Sequence, residues 1–307
     1  MATESELIAA LTRVFTQKND ESILVGIGDD AAVIKVPLTP VVLATDMAVE
    51  GSHFTRSWST LYEIGAKVAS ANLADIFAMG GKPEYLLVAA ALPSGFSVAE
   101  IEELAGGIAD EAASVGATIV GGDLTVSDQM VIAISVFGSV GRPILRSGAK
   151  VGDDVVISKV PGQSAAGFDL LNRGIRDSQS LEHRNPTVEY QKAQAIAAIA
   201  HSMCDISDGL ISELTHIAKA SGVQIVIARS EIMSASGFEE RERLAVEYGV
   251  DVWQWILHGG EDHAFVATVP AGSNLPSGFI KIGSVVEGAR VLVDGFIMEH
   301  EGFRHFS

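Results

Sequence analysis

The sequence predicts an α/β (α+β) fold in two lobes, and three observations carry that expectation. Short apolar, β-branched runs alternate along the chain with segments of helical periodicity. The 307 residues suit about two domains. The periodicity lapses over 139–152, SVGRPILRSGAKVG, where Gly, Pro and basic residues cluster. The lobes expected are therefore 1–140 and 141–307.

Each element follows from its local pattern. The chain opens on MATESELIAALTRVF, an amphipathic helix with Leu7, Ile8, Leu11 and Phe15 on one face. Its acids and its lack of a basic run set it apart from a signal peptide. Residues 22–25, 32–36 and 40–45 are β-branched and bounded by Gly, Pro or Asp, so they read as strands. Residues 60–79 read as a helix whose stripe runs Leu61, Ile64, Val68, Asn72, Asp75, Met79. YLLVAAAL at 85–92 reads as a buried strand. Ser97 and Glu100 form a capping box that starts a helix over 97–115. Strands follow at 117–120 and 130–137. The second lobe reads as strand 154–158, helices 163–173 and 187–201, the segment MCDISDG, helix 208–220, strand 223–228, helix 238–248, and strands near 264–269, 279–285 and 290–293.

Composition narrows the function. Apolar residues make up 48% of the chain, enough for real cores, and 31 glycines predict many tight turns or ligand-hugging loops. The formal charge of −18 disfavours nucleic acid and anionic membranes as partners. A phosphorylated ligand on such a chain calls for a divalent cation. One cysteine, Cys204, excludes an internal disulfide and fits a reducing, cytoplasmic setting. No uninterrupted apolar stretch is long enough to span a membrane.

Several carboxylates occupy unusual places. Asp30 ends GIGDD, Asp46 follows VVLAT, Asp123 ends IVGGD, and Asp205 and Asp208 lie in MCDISDG. Each is expected at the end of a buried strand or at a strand-to-helix turn, where α/β sites are commonly built. Asp75 shares the core-facing stripe of helix 60–79 with Asn72, three residues earlier. A buried carboxylate there must be paired, protonated or bound to metal. Each motif also has a plain structural reading: GDD and GGD as turns, and Ser207 with Asp208 as a helix N-cap.

Other motifs lead nowhere. GIGDDA resembles a dinucleotide fingerprint, but carboxylates sit where pyrophosphate would lie and a strand follows. There is no P-loop, protein-kinase signature or G-x-S-x-G elbow. HGGEDH at 258–263 matches no familiar zinc spacing. Asp205 beside Cys204 disfavours a thiolate nucleophile.

GIGDDAAVI, LATDMAVEGSHF, ANLADIFAMGGKPEYLLVAAALP, IVGGDL, LRSGAKVGD, MCDISDGL and HGGEDH occur in an order that resembles the thiamine-monophosphate kinases, of the aminoimidazole ribonucleotide synthetase-like superfamily. The resemblance spans 26–305. It implies an N-terminal lobe whose mixed or antiparallel sheet pairs in a homodimer, and a C-terminal α/β lobe. It implies ATP as co-substrate, thiamine monophosphate as acceptor and several Mg2+ ions. Asp30, Thr45, Asp46, Asp75, Asp123, Asp205 and Asp208 match the family's metal ligands, with Asp46, Asp75 and Asp205 holding the reactants in place and no nucleophilic residue. Gly122, Asp123, Arg146 and Ser207 match positions near ATP. His53, Glu261 and Phe303 match positions near the thiamine phosphate. The chain departs from the family pattern at Ala44, at His263-Ala264-Phe265 in place of Tyr-Glu-Leu, and at Phe303 in place of Trp or Tyr. Another synthetase of the superfamily, or a metal and nucleotide sensor of the same fold, is the alternative. A superfamily selenophosphate synthetase would need an early Cys or selenocysteine, whereas the chain's one Cys is at 204.

Overall fold

A computed structural model describes residues 3–15, 21–27, 31–35 and 38–298. The chain divides into two compact units: residues 1–76 with 81–141, and residues 77–80 with 142–307.

In the first unit, helix α1 (Glu4–Phe15) precedes the two-stranded pair β1 (Ile23–Val25) and β2 (Val33–Ile34). Strand β3 (Val41–Val49), helix α2 (Leu61–Ala78), strand β4 (Lys82–Leu92), helix α3 (Val98–Ser114) and strands β5 (Thr118–Val126) and β6 (Val131–Ser139) follow. The sheet order is β3-β6-β4-β5. The β4–β5 pair is parallel, because α3 carries the chain back to the starting edge; the other pairs are antiparallel. Alternation sorts the sheet into two faces. Ile132, Ile134 and Val136 of β6 are fully buried with Ile64, Leu73 and Ile76 of α2 and Leu104 and Ile108 of α3. On the other face Val41, Leu43 and Met47 of β3 are exposed.

The capping box forms as expected. Ser97 Oγ accepts from Glu100 N, and Glu100 Oε2 accepts from Ser97 N at 2.8 Å. Helices α2 and α3 touch backbone to backbone at two glycines. A Cβ on Gly65 would lie 2.2 Å from Leu104 O, and one on Gly107 would lie 2.0 Å from Tyr62 O.

The second unit is built on a seven-stranded sheet of order β13-β12-β9-β11-β7-β10-β8. The strands are β7 (Asp154–Ile157), β8 (Ser202–Asp205), β9 (Gln224–Ile227), β10 (Phe265–Val269), β11 (Ile280–Val286), β12 (Val291–Val293) and β13 (Phe296–Ile297). Among the described residues only the β12–β9 pair is parallel. The helices are α4 (Gln163–Asn172), α5 (Leu181–Arg184), α6 (Tyr190–Ala197), α7 (Leu210–Ser221), α8 (Arg229–Met233), α9 (Phe238–Tyr248) and α10 (Val252–His258). The core joins Val155 and Ile157 of β7, Val266 of β10, Ile225 of β9 and Leu210 and Leu214 of α7.

Several sequence expectations need correction. The strand expected over 40–45 runs to Val49, since β6 pairs with it at all nine positions. Asp46 therefore lies within a strand, not at its end. GGD at 121–123 is likewise inside β5 and is not a turn. The helix expected over 187–201 is confined to Tyr190–Ala197, because Arg142 takes the carbonyls of Ala197 and Ala200 and His201 N donates to Thr268 O. Helix α10 went unread, although Asp251 accepts from Trp253 N as its N-cap.

Gly107→Ala should push α2 from α3 and destabilise the protein by about 1–3 kcal/mol, the usual cost of overpacking. Urea unfolding checks this: the midpoint falls while the slope stays constant.

Candidate functional site

The first unit carries Thr45, Asp46, His53, Asp75, Gly122 and Asp123. Asn72 is wholly buried and ties two of the elements together. Its Oδ1 accepts from Asp46 N at 2.8 Å and its Nδ2 donates to Val68 O at 2.9 Å. The α2 amide thereby fixes β3 at the residue that bears the Asp46 carboxylate, which is exposed. Asp75, one turn further, is half-buried, at the margin of the core stripe.

Thr45 points the other way along the strand alternation. Its Oγ1 lies 3.1 Å from Ile134 O and 3.0 Å from Ser135 Oγ. Ser135 lines an open cavity of about 770 Å³ together with Leu11, Leu87, Gly122 and Asp123. Asp123 thus shares the outer sheet face with Thr45, whereas Asp46 lies on the α2 side. A Cβ at Gly122 would sit 1.8 Å from Val88 O, so the parallel β4–β5 pair requires glycine there. His53 is half-buried, and its Nδ1 accepts from Val49 N at 3.1 Å. That bond leaves the neutral ring's proton on Nε2. Asp30 and Phe303 lie outside the described residues.

The second unit carries Arg146, Asp205, Ser207, Asp208 and Glu261. Asp205 is the last residue of β8, and it is buried. Its Oδ2 lies 2.9 Å from His263 Nδ1. Gly209 takes the N-cap position of α7, so neither Ser207 nor Asp208 serves as that cap. Backbone bonds lace this turn to the HGGEDH segment: Ile206 N to Ala264 O at 2.7 Å, Glu261 N to Ser207 O at 2.7 Å, and His263 N to Ile206 O at 3.1 Å. Close approach at Gly260, whose Cβ would lie 2.4 Å from Ser207 O, makes the lacing possible. Glu261 (φ 61°) and His263 (φ 44°) adopt left-handed backbone, rare for residues with side chains. Glu261 Oε2 lies 3.4 Å from His183 Nδ1.

Two buried carboxylates that anchor this unit escaped the sequence reading. Asp262 is buried and accepts from Gly162, Gln163 and Ser164 N–H at 2.6, 3.0 and 3.1 Å. It caps the start of α4 from 98 to 100 residues away, so no local spacing could reveal it. Burial pushes its pKa up, opposed by Lys159 and by those backbone donors. Glu213, on α7, is also buried. Its Oε2 lies 3.4 Å from Arg146 Nη2 and 3.4 Å from His216 Nδ1. Position 213 falls between Leu210 and Leu214 on the core face, which was the available signal. Ser221 Oγ donates to Arg146 O at 2.9 Å, so α7 grips Arg146 by backbone and side chain alike.

The oxygen donors suit a hard divalent cation. Among the described residues no three His, Cys, Asp or Glu side chains gather to hold a metal on their own. Mg2+ is typically bound by one or two carboxylates plus phosphate oxygens and water, so the Asp residues of each unit fit it. HGGEDH does not assemble as a zinc site, since Asp262 serves α4 and His263 serves Asp205.

Burial, with Asp205 adding to it and Arg146 opposing, pushes the Glu213 pKa up to about 7. A raised carboxylate pKa stabilises the fold below the unfolded value of 4.5, and that contribution is lost as pH rises through 7. In metal-free buffer Glu213→Gln should therefore gain stability relative to wild type between pH 5 and pH 8. The limit is on the order of 3 kcal/mol. Parallel melting curves at the two pH values measure it; a difference that stays constant with pH refutes it.

Residues 28–140 match the family described as AIR synthase related protein, N-terminal domain. The thiamine-monophosphate kinase of Mycobacterium tuberculosis (strain H37Rv) is 39% identical over 308 residues, covering 96% of this chain and 91% of that protein. The thiamine-monophosphate kinase of Corynebacterium glutamicum is 38% identical over 289 residues, covering 90% and 85%. The solved structure of AaThiL complexed with AMPPCP and TMP superposes with a TM-score of 0.83 at 30% identity, covering 100% of this chain and 99% of that one. With relatives this similar over nearly its whole length, the chain belongs to the thiamine-monophosphate kinase family.

Proposed function

We propose that the chain transfers the γ-phosphoryl group of ATP to a phosphate oxygen of thiamine monophosphate, forming thiamine diphosphate and ADP. The observation that carries this reading is 39% identity to a thiamine-monophosphate kinase over 96% of the chain. The likeness to a protein solved with AMPPCP and TMP supports the same pair of reactants.

The acceptor oxygen of a phosphate monoester is largely ionised at neutral pH, because its second pKa is about 6. No strong general base is needed. The acceptor oxygen attacks the γ-phosphorus, the bond to the β-phosphate oxygen breaks, and ADP leaves with that electron pair. The transfer is direct, with no phospho-enzyme. The protein's task is to align two anions that repel each other.

In this reading Asp30, Thr45, Asp46, Asp75, Asp123, Asp205 and Asp208 supply oxygen ligands for several Mg2+ ions. Mg2+ held there would neutralise phosphate charge that a chain of net charge −18 would otherwise repel. Gly122, Asp123, Arg146 and Ser207 serve the nucleotide. The Arg146 guanidinium, half-exposed and anchored on Glu213, suits a phosphate contact. His53, Glu261 and Phe303 orient the thiamine phosphate, with the Glu261 carboxylate suited to the cationic thiazolium. Residues 1–140 form the nucleotide, metal and dimerisation lobe, and 141–307 the α/β lobe. The exposed apolar row Val41, Leu43, Met47 supports a homodimer through the first unit's sheet. Among the described residues no helix is long and apolar enough to cross a membrane. One buried cysteine suits a cytoplasmic setting.

Incubation with ATP, Mg2+ and thiamine monophosphate should yield ADP and thiamine diphosphate in equal amounts by chromatography. ATP turnover without the diphosphate would sink the reading. Asp46→Asn and Asp75→Asn should each lower turnover by about 10² or more, with melting temperatures near that of wild type. Near-normal turnover in either variant removes that residue from the mechanism.

A further inference from the structure

In the second unit, the segment from Gly259 to Ala264 is held harder than a loop needs to be. The Asp262 carboxylate sits on three N–H groups at the start of α4, and backbone bonds from Ile206, Glu261 and His263 close the segment on the 206–207 turn. The left-handed backbone at His263 persists inside this lacing. Its outcome is a fixed imidazole, buried, with Nδ1 2.9 Å from Asp205 Oδ2. Asp205 Oδ1 makes no hydrogen bond among the described residues. An ionised carboxylate only accepts, so Nδ1 carries the proton and donates it.

We propose that His263 is a positioning residue for Asp205: its Nδ1–H holds Oδ2 and leaves Oδ1 as the oxygen offered to the cation that travels with ATP. The inference rests on the kinase reading above and adds a residue at a point where this chain departs from the family resemblance. Partners of this kind orient a ligating carboxylate and raise its effectiveness without touching the substrate. The role requires a donor at the Nδ1 position, not an imidazole as such. Asn places its Nδ2 at that same position and tolerates left-handed backbone. Phe keeps the aromatic bulk and loses the donor.

The test titrates Mn2+ into the full-length protein with the non-hydrolysable analogue AMPPCP, and free Mn2+ is read by its paramagnetic resonance signal. His263→Phe should weaken Mn2+ binding about tenfold or more. The KM for thiamine monophosphate should stay at the wild-type value. His263→Asn should restore Mn2+ binding to within about threefold of wild type. If H263F does not fold, H263L provides the donor-free variant. Wild-type Mn2+ affinity in the donor-free variant overturns the proposal, and so does H263N binding as weakly as H263F. A wild-type protein that makes no thiamine diphosphate overturns the kinase reading instead, whatever the variants do.

Discussion

The second unit turns on one buried carboxylate. Asp262 is surrounded by protein and still accepts three backbone N–H groups, so it replaces the water that the start of α4 would otherwise need. Removing that carboxylate would leave three donors unsatisfied in a dry interior, the expensive direction of hydrogen-bond loss. Because Asp262 cannot move, its neighbours must accommodate it. Glu261 and His263 take left-handed backbone on either side, and their side chains reach His183 and Asp205. The helix cap and the site geometry are therefore one constraint.

The first unit solves a similar problem with an amide. Asn72 is fully buried, yet both its polar atoms are used, one by its own helix and one by the strand beneath. A neutral group suits this place, since a charge with no partner would have to be neutralised or expelled. The two close glycine contacts hold α2 against α3, and that packing brings Asn72 within reach of β3. Helix packing, an interior hydrogen bond and the placement of Asp46 form a single chain of cause.

Much of this was legible in the sequence, and the exceptions have physical reasons. Local signals worked where the stabilising partner is local: Ser97 with Glu100 marked a helix start. Strand length was misjudged at β3 because an edge strand with one open face carries polar and apolar residues on both sides of the alternation. Helix α10 was missed although Asp251 stands at its start, because its seven residues are too few for a clear period. Asp262 was invisible as an anchor, and Glu213 showed only its place on the core face of α7. The Asp262 donors lie 98 to 100 residues away and the Arg146 partner of Glu213 lies 67 away, and only the fold brings them close.

The pairing of β3 with β6 also shapes how the chain must assemble. Thr45 and Ile134 are bonded neighbours 89 residues apart, and all nine positions of β3 depend on that late strand. At roughly 5–20 residues per second, a ribosome leaves β3 without its mate for several seconds. During that wait the backbone edge of β3 is unpaired, an invitation to the wrong neighbour. Non-local pairing of this kind also slows folding, so this sheet closes late, after the chain up to β6 has emerged.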